Sequence, residues 1–85
     1  MKYELFIEKR AQRQLAKIAR PFQDRIIAAM RDLAENPRPP GVRKLTDREG
    51  WRIRVGDFRV IYEVQDESLV VLIVEIGHRR DIYRP

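Results

Sequence analysis

An α+β fold is what this sequence predicts: a strand first, then a helical hairpin, then an antiparallel meander of three to four strands. Three observations carry that prediction. Apolar residues recur at helical spacing from Ala11 to Leu33. A Pro-rich connector, Arg38 to Gly41, interrupts them. From Trp51 onward the period becomes two. Helices gathered at one end of a sequence and strands at the other imply α+β, with the helical hairpin covering one sheet face. The 85 residues make one domain, 1–85. A core this thin excludes a deep, multilayered active site, so a site is expected on a surface or in a shallow groove.

Each element has its own signal. Tyr3, Leu5 and Ile7 alternate with Glu4 and Phe6 in a β-prone stretch. Ala11, Leu15 and Ile18 then follow at i, i+4 and i+7, as on one face of a helix. Pro21 ends that helix and suits the first turn of the next. Phe22, Ile26, Met30 and Leu33 form the core stripe of the second helix, which Asn36-Pro37 ends. Val42 to Leu45 has room for a short strand. Trp51, Ile53 and Val55 alternate with Arg52 and Arg54, and Gly56-Asp57 makes a two-residue turn. Phe58, Val60, Tyr62 and Val64 alternate with Arg59, Ile61, Glu63 and Gln65. After a turn at Asp66-Glu67-Ser68, Leu69 to Ile76 is apolar almost throughout, as in a strand buried on both faces. Gly77 ends it, and His78 to Pro85 is an irregular tail.

Composition narrows the function. There are 18 basic and 13 acidic residues, and 14 of the basic ones are Arg. The guanidinium fork suits phosphate, so the bias and the net charge of +5 favour an anionic partner. The absence of Cys removes disulfides, thiol chemistry and Cys-based zinc sites, and one His does not make a metal site. No metal or other cofactor is expected. No stretch approaches the roughly 20 apolar residues of a membrane span, and the first residues lack a signal-peptide pattern. A cytoplasmic protein without membrane contact is the expectation.

Parity on the meander brings the chemistry together. With Trp51, Ile53, Val55, Phe58, Val60, Tyr62 and Val64 under the helices, the other face carries Arg52, Arg54 and Arg59. Residues flanking a two-residue turn are cross-strand neighbours, so the three guanidiniums fall in one small area. They are either a solvated face balanced by Asp57 and Glu63, or a cradle for a phosphodiester. The tail adds His78, Arg79, Arg80, Tyr83 and Arg84 beyond the central strand, within reach of that face. Trp51 is either core, with its strand-mates, or a base-stacking platform.

Taken with Asn36-Pro37, Lys44-Leu45, Trp51 to Val55, Phe58 to Val64 and Gly77 to Tyr83, the chain resembles the RelE family of bacterial toxins within the RelE/ParE superfamily. The resemblance covers essentially the whole chain. It implies a type II toxin, a ribosome-dependent endoribonuclease that cleaves mRNA by attack of a ribose 2′-hydroxyl on the adjacent phosphate. A cognate antitoxin protein would silence it. The alternative inside the superfamily is a ParE-like toxin that inhibits DNA gyrase without nuclease activity. The resemblance also implies catalytic roles for Arg52, Arg54, Arg59, Arg79 and Tyr83, and RNA contact by Lys44, Arg48, Arg80 and Arg84.

RelE-type sites carry Lys at the two positions occupied here by Arg52 and Arg54. Arg orients phosphate and steadies developing charge, but it does not give up its proton. The proton acceptor then falls to His78, Tyr83, Glu63 or a ribosomal group. His78 is the only side chain whose ordinary pKa lies near neutrality, and is either a general acid or base or a surface residue at a strand end.

Overall fold

The structure, a computed structural model, describes residues 2–78. The elements run β1 (Glu4–Ile7), α1 (Lys9–Ala16), α2 (Arg20–Glu35), β2 (Arg43–Lys44), β3 (Trp51–Val55), β4 (Phe58–Gln65) and β5 (Val70–His78). They form one five-stranded sheet in the order β1-β5-β4-β3-β2. The predicted meander is there as β2 to β5, antiparallel throughout. The first strand joins the last one in parallel, Glu4 opposite Val70 and Ile7 opposite Ile73. A parallel pair needs a long crossover. Here the helical hairpin and the meander together supply it, and they leave β5 flanked on both sides, as its apolar sequence requires.

Both helices cover one sheet face. Pro21 sits in the first turn of α2, where its missing N–H costs nothing, and α2 stops at Glu35, just before Asn36-Pro37. Ala11 of α1 and Ile26, Met30 and Leu33 of α2 are buried against Ile53, Val60, Tyr62, Val71, Ile73 and Ile76 of the sheet. Phe22 departs from the expected core stripe, because it is 46% exposed. The first turn of α2 lies over the end of the β3–β4 hairpin, where its ring meets only the partly buried Phe58, at 5.7 Å between centroids.

The turns follow local chemistry. Gly56 takes φ +60° between Val55 and Phe58, a conformation that a Cβ disfavours. Leu69 takes φ +55° and belongs to the β4–β5 turn, so β5 starts one residue later than the apolar run does.

The fourth and fifth strands change register once, between Ile61 and Tyr62. Tyr62 faces Ile73, but Ile61 faces Glu75, which leaves Val74 as an extra residue on β5. Such a bulge shifts the alternation of its strand by one. Past Ile73, β5 has no strand on its β1 side, and α1 packs there instead. The Gln14 side-chain carbonyl accepts the Ile76 N–H at 2.7 Å, satisfying a donor that would otherwise lie on an open edge.

Candidate nucleic-acid interface

The β3–β4 hairpin fixes the centre of the site. Its two-residue turn places Arg54 directly opposite Arg59, and Arg52 opposite Ile61. On the other side of β3, Arg52 faces Arg43 of β2. Cross-strand partners share a face, so Arg43, Arg52, Arg54 and Arg59 stand together on the face away from the helices. Arg43 is the residue that sequence reasoning missed. A strand of two residues has no periodicity of its own, and only its pairing with β3 shows which of Arg43 and Lys44 accompanies Arg52.

Gathering like charges has a measurable effect. Partial burial, and then the neighbouring charges of Arg43 and Arg54, lower the pKa of Arg52 from its ordinary value. Arg59 is only 4% exposed, and Ile61 beside it on the same face is 4% exposed. The face is therefore not the uniformly solvated surface that alternation implied, and Arg54 is its accessible centre.

The acidic counterpart is neither Asp57 nor Glu63, which form no ion pair among the described residues. It is Glu75, which pairs with Arg48 at 3.2 Å and Arg10 at 3.7 Å. Arg48, expected to contact RNA, is thus directed onto Glu75.

His78 does not join the arginines. It lies opposite Phe58, whose ring it meets edge-on at 5.7 Å, whereas Arg59 lies opposite Gly77. The imidazole consequently occupies the helix face, beside a groove bounded by Lys17, Ile18 and Phe58. The bulge is the cause. Without the extra residue at Val74, His78 would share the parity of Arg59. One trace of it is visible in sequence: strict alternation from Val71 and Ile73 lands on Glu75 and Gly77, neither of which suits a core.

Lys44 is also on the other face. It lies opposite Trp51, with Nζ 4.9 Å from the indole centroid. The Arg38 guanidinium lies 5.0 Å from the same centroid. Trp51 is partly buried against the core and covered by cations, so it is not a base-stacking platform.

Arg38 is held in place by a clasp. It donates to both oxygens of Asp66, at 3.2 and 2.9 Å, and the Tyr3 hydroxyl donates to Asp66 Oδ1 at 2.7 Å. These two donors hold the Asp66 carboxyl below the usual carboxylate range. The adjacent Pro37 carbonyl accepts from the buried Tyr62 hydroxyl at 2.7 Å, and burial pushes that phenol well above its ordinary pKa.

Arg79, Arg80, Tyr83 and Arg84 lie outside the described residues. Among the described residues no group of His, Asp and Glu could hold a metal ion, and no helix is long and apolar enough to cross a membrane. The arrangement can bind and orient a phosphodiester and stabilise negative charge on it. Arginine does not accept a proton at neutral pH.

Comparison with known proteins places this geometry. Residues 5–83 match the family described as the ParE toxin of type II toxin–antitoxin systems. The chain is 32% identical to toxin RelG of Mycobacterium tuberculosis, over 99% of each protein. It is 26% identical to the mRNA interferase toxin RelE of Escherichia coli, over 93% of this chain and 85% of that protein. Among solved structures it is similar to the archaeal RelE–RelB complex of Pyrococcus horikoshii, with a TM-score of 0.83 and 28% identity, over 93% of this chain and 97% of that one.

Proposed function

The chain belongs to the RelE/ParE family of type II toxins, and on that premise we propose that it is an endoribonuclease that cleaves messenger RNA on the ribosome, under the control of a cognate antitoxin. The observation that carries this reading is the pair of arginine rungs, Arg43 with Arg52 and Arg54 with Arg59, on one sheet face. The exposed Arg54, with Arg43 and Arg52, holds the scissile phosphate, while Arg59 is a buried charge beneath it. The 2′-hydroxyl of the preceding nucleotide attacks the phosphorus, and the bond to the 5′-oxygen breaks. The products are a 2′,3′-cyclic phosphate and a 5′-hydroxyl. Positive charge fixed beside the phosphate stabilises the pentavalent transition state without rearranging.

The proton acceptor is not one of the arginines, and His78 is on the wrong face to serve the phosphate they hold. Tyr83 of the tail, or a group of the ribosome, takes that role in this reading. Arg79 supplies a further cation, and Arg80 and Arg84 contact RNA. A small domain has little surface with which to align a single strand, and the ribosome supplies that alignment. The cytoplasm, where messages are translated, is the place of action.

The test is single-turnover cleavage of a defined message on purified ribosomes. Arg54→Ala removes one charge-assisted contact, and a loss of about 10–150-fold is expected. Undiminished cleavage by the variant would remove Arg54 from the site. The family's ParE name favours a second reading, inhibition of DNA gyrase without cleavage. Intact message in a translation extract, together with blocked supercoiling by gyrase, would establish it instead.

A further inference from the structure

Residues 38–54 are a fifth of the chain, yet they hold six basic side chains against Asp47 and Glu49, and so carry four of the five net positive charges. The fold brings these charges to one sheet edge, made by the connector, β2 and the start of β3. Because side chains alternate, β2 presents Arg43 to the arginine face and Lys44 to the helix face. Two adjacent cations therefore straddle the outermost strand. Both are exposed, and neither takes part in an ion pair among the described residues. A cleft of about 470 Å³ opens beside them, bounded also by Thr46 and Arg52.

The chemistry of this edge selects its ligand. Proteins that grip single strands without sequence preference do so with exposed aromatic platforms beside a basic groove. The aromatic residue at this edge is Trp51, and Arg38 and Lys44 already cover its ring. What the edge offers is positive charge on both sides of a projecting strand. A double helix offers the complement, two phosphate backbones flanking a groove, with its bases withdrawn. Double-stranded RNA is recognised largely through such backbone contacts and by shape.

We infer that the β2–β3 edge is a docking site for the phosphate backbone of an A-form RNA duplex, straddled by Arg43 and Lys44. The inference extends the proposed RNA cleavage. A folded RNA beside the cleaved strand is held at the edge, while the strand itself lies on the arginine face. Duplex binding at Lys44 does not itself require cleavage.

The experiment is fluorescence anisotropy with the purified chain, using an RNA duplex of about 16 base pairs and one of its separated strands. Titrations run between about 50 and 300 mM KCl, and the slope of log affinity against log salt counts the phosphates engaged. The wild type is expected to bind the duplex more tightly than the strand. Lys44→Gln is expected to weaken duplex binding and to reduce the salt slope by about one, and Lys44→Arg to restore both. Loss of folding would not yield a one-charge change of slope that another cation reverses. An unchanged slope in Lys44→Gln, or equal affinity for the single strand, would overturn the proposal. So would Lys44-dependent binding of polyglutamate in preference to the duplex, which would assign the edge to an acidic protein. If wild-type protein leaves message intact on ribosomes but still binds the duplex through Lys44, the cleavage reading falls and this one stands.

Discussion

Arg54 and Arg59 face each other across one hairpin, yet substitution at each should report a different property. Arg54 is exposed, so its truncation tests phosphate binding with the fold intact. Arg59 is the only charged side chain in the buried set, and parity alone made it look equally expendable. Truncating it empties buried volume and strips a charged group from surroundings built around it. Arg59→Ala should therefore lower stability by about 2–5 kcal/mol, the range for large-to-small core changes. Urea denaturation of both variants checks this, and equal midpoints would show that Arg59 is not a structural element of the site. Such differences are not legible in sequence. Alternation assigns a face to a residue but does not say whether another part of the chain covers that face.

Among the elements, the β3–β4 hairpin was the most legible, because a two-residue turn fixes register and register fixes faces. β5 was legible as a buried strand but not in its parity. An extra residue at Val74 is tolerated because α1, not a strand, adjoins that stretch, and Gln14 supplies the missing acceptor. That depends on packing between segments far apart in sequence, so His78 was expected near the arginines and lies on the other side. The connector shows the same limit. Its prolines announced a break, but not the clasp of Arg38 and Tyr3 on Asp66. The clasp predicts a pH dependence. The Asp66 carboxyl titrates lower in the folded chain than its ordinary value near 3.9, so its contribution is complete above that value. It is lost as pH falls through the lower, folded value. Wild type should unfold at higher urea than Asp66→Asn at pH 7, and the gap should close in strong acid. A gap that persists with Asp66 protonated would show that the clasp acts through something other than the carboxylate charge.

At the scale of the whole molecule, the charge of +5 asks for an acidic partner. An antitoxin with an acidic segment that folds on the toxin meets that need, and its association should weaken as salt rises. Co-expression with the product of the adjacent reading frame checks this; a neighbour that neither co-purifies nor relieves growth arrest would be the wrong partner. The pairing of β1 with β5 has a consequence in time. β1 leaves the ribosome among the first residues made, but its only strand partner, Val70–Ile73, is made among the last. The helices lack half of their sheet until then, since Val71, Ile73 and Ile76 belong to the same core as Ile26 and Met30. Contacts so distant along the chain make for slow folding, and they leave no early stopping point with the site assembled. A nuclease directed at translating ribosomes is thereby kept shapeless through most of its own synthesis, and it gains its activity only after the ribosome that makes it has nearly finished.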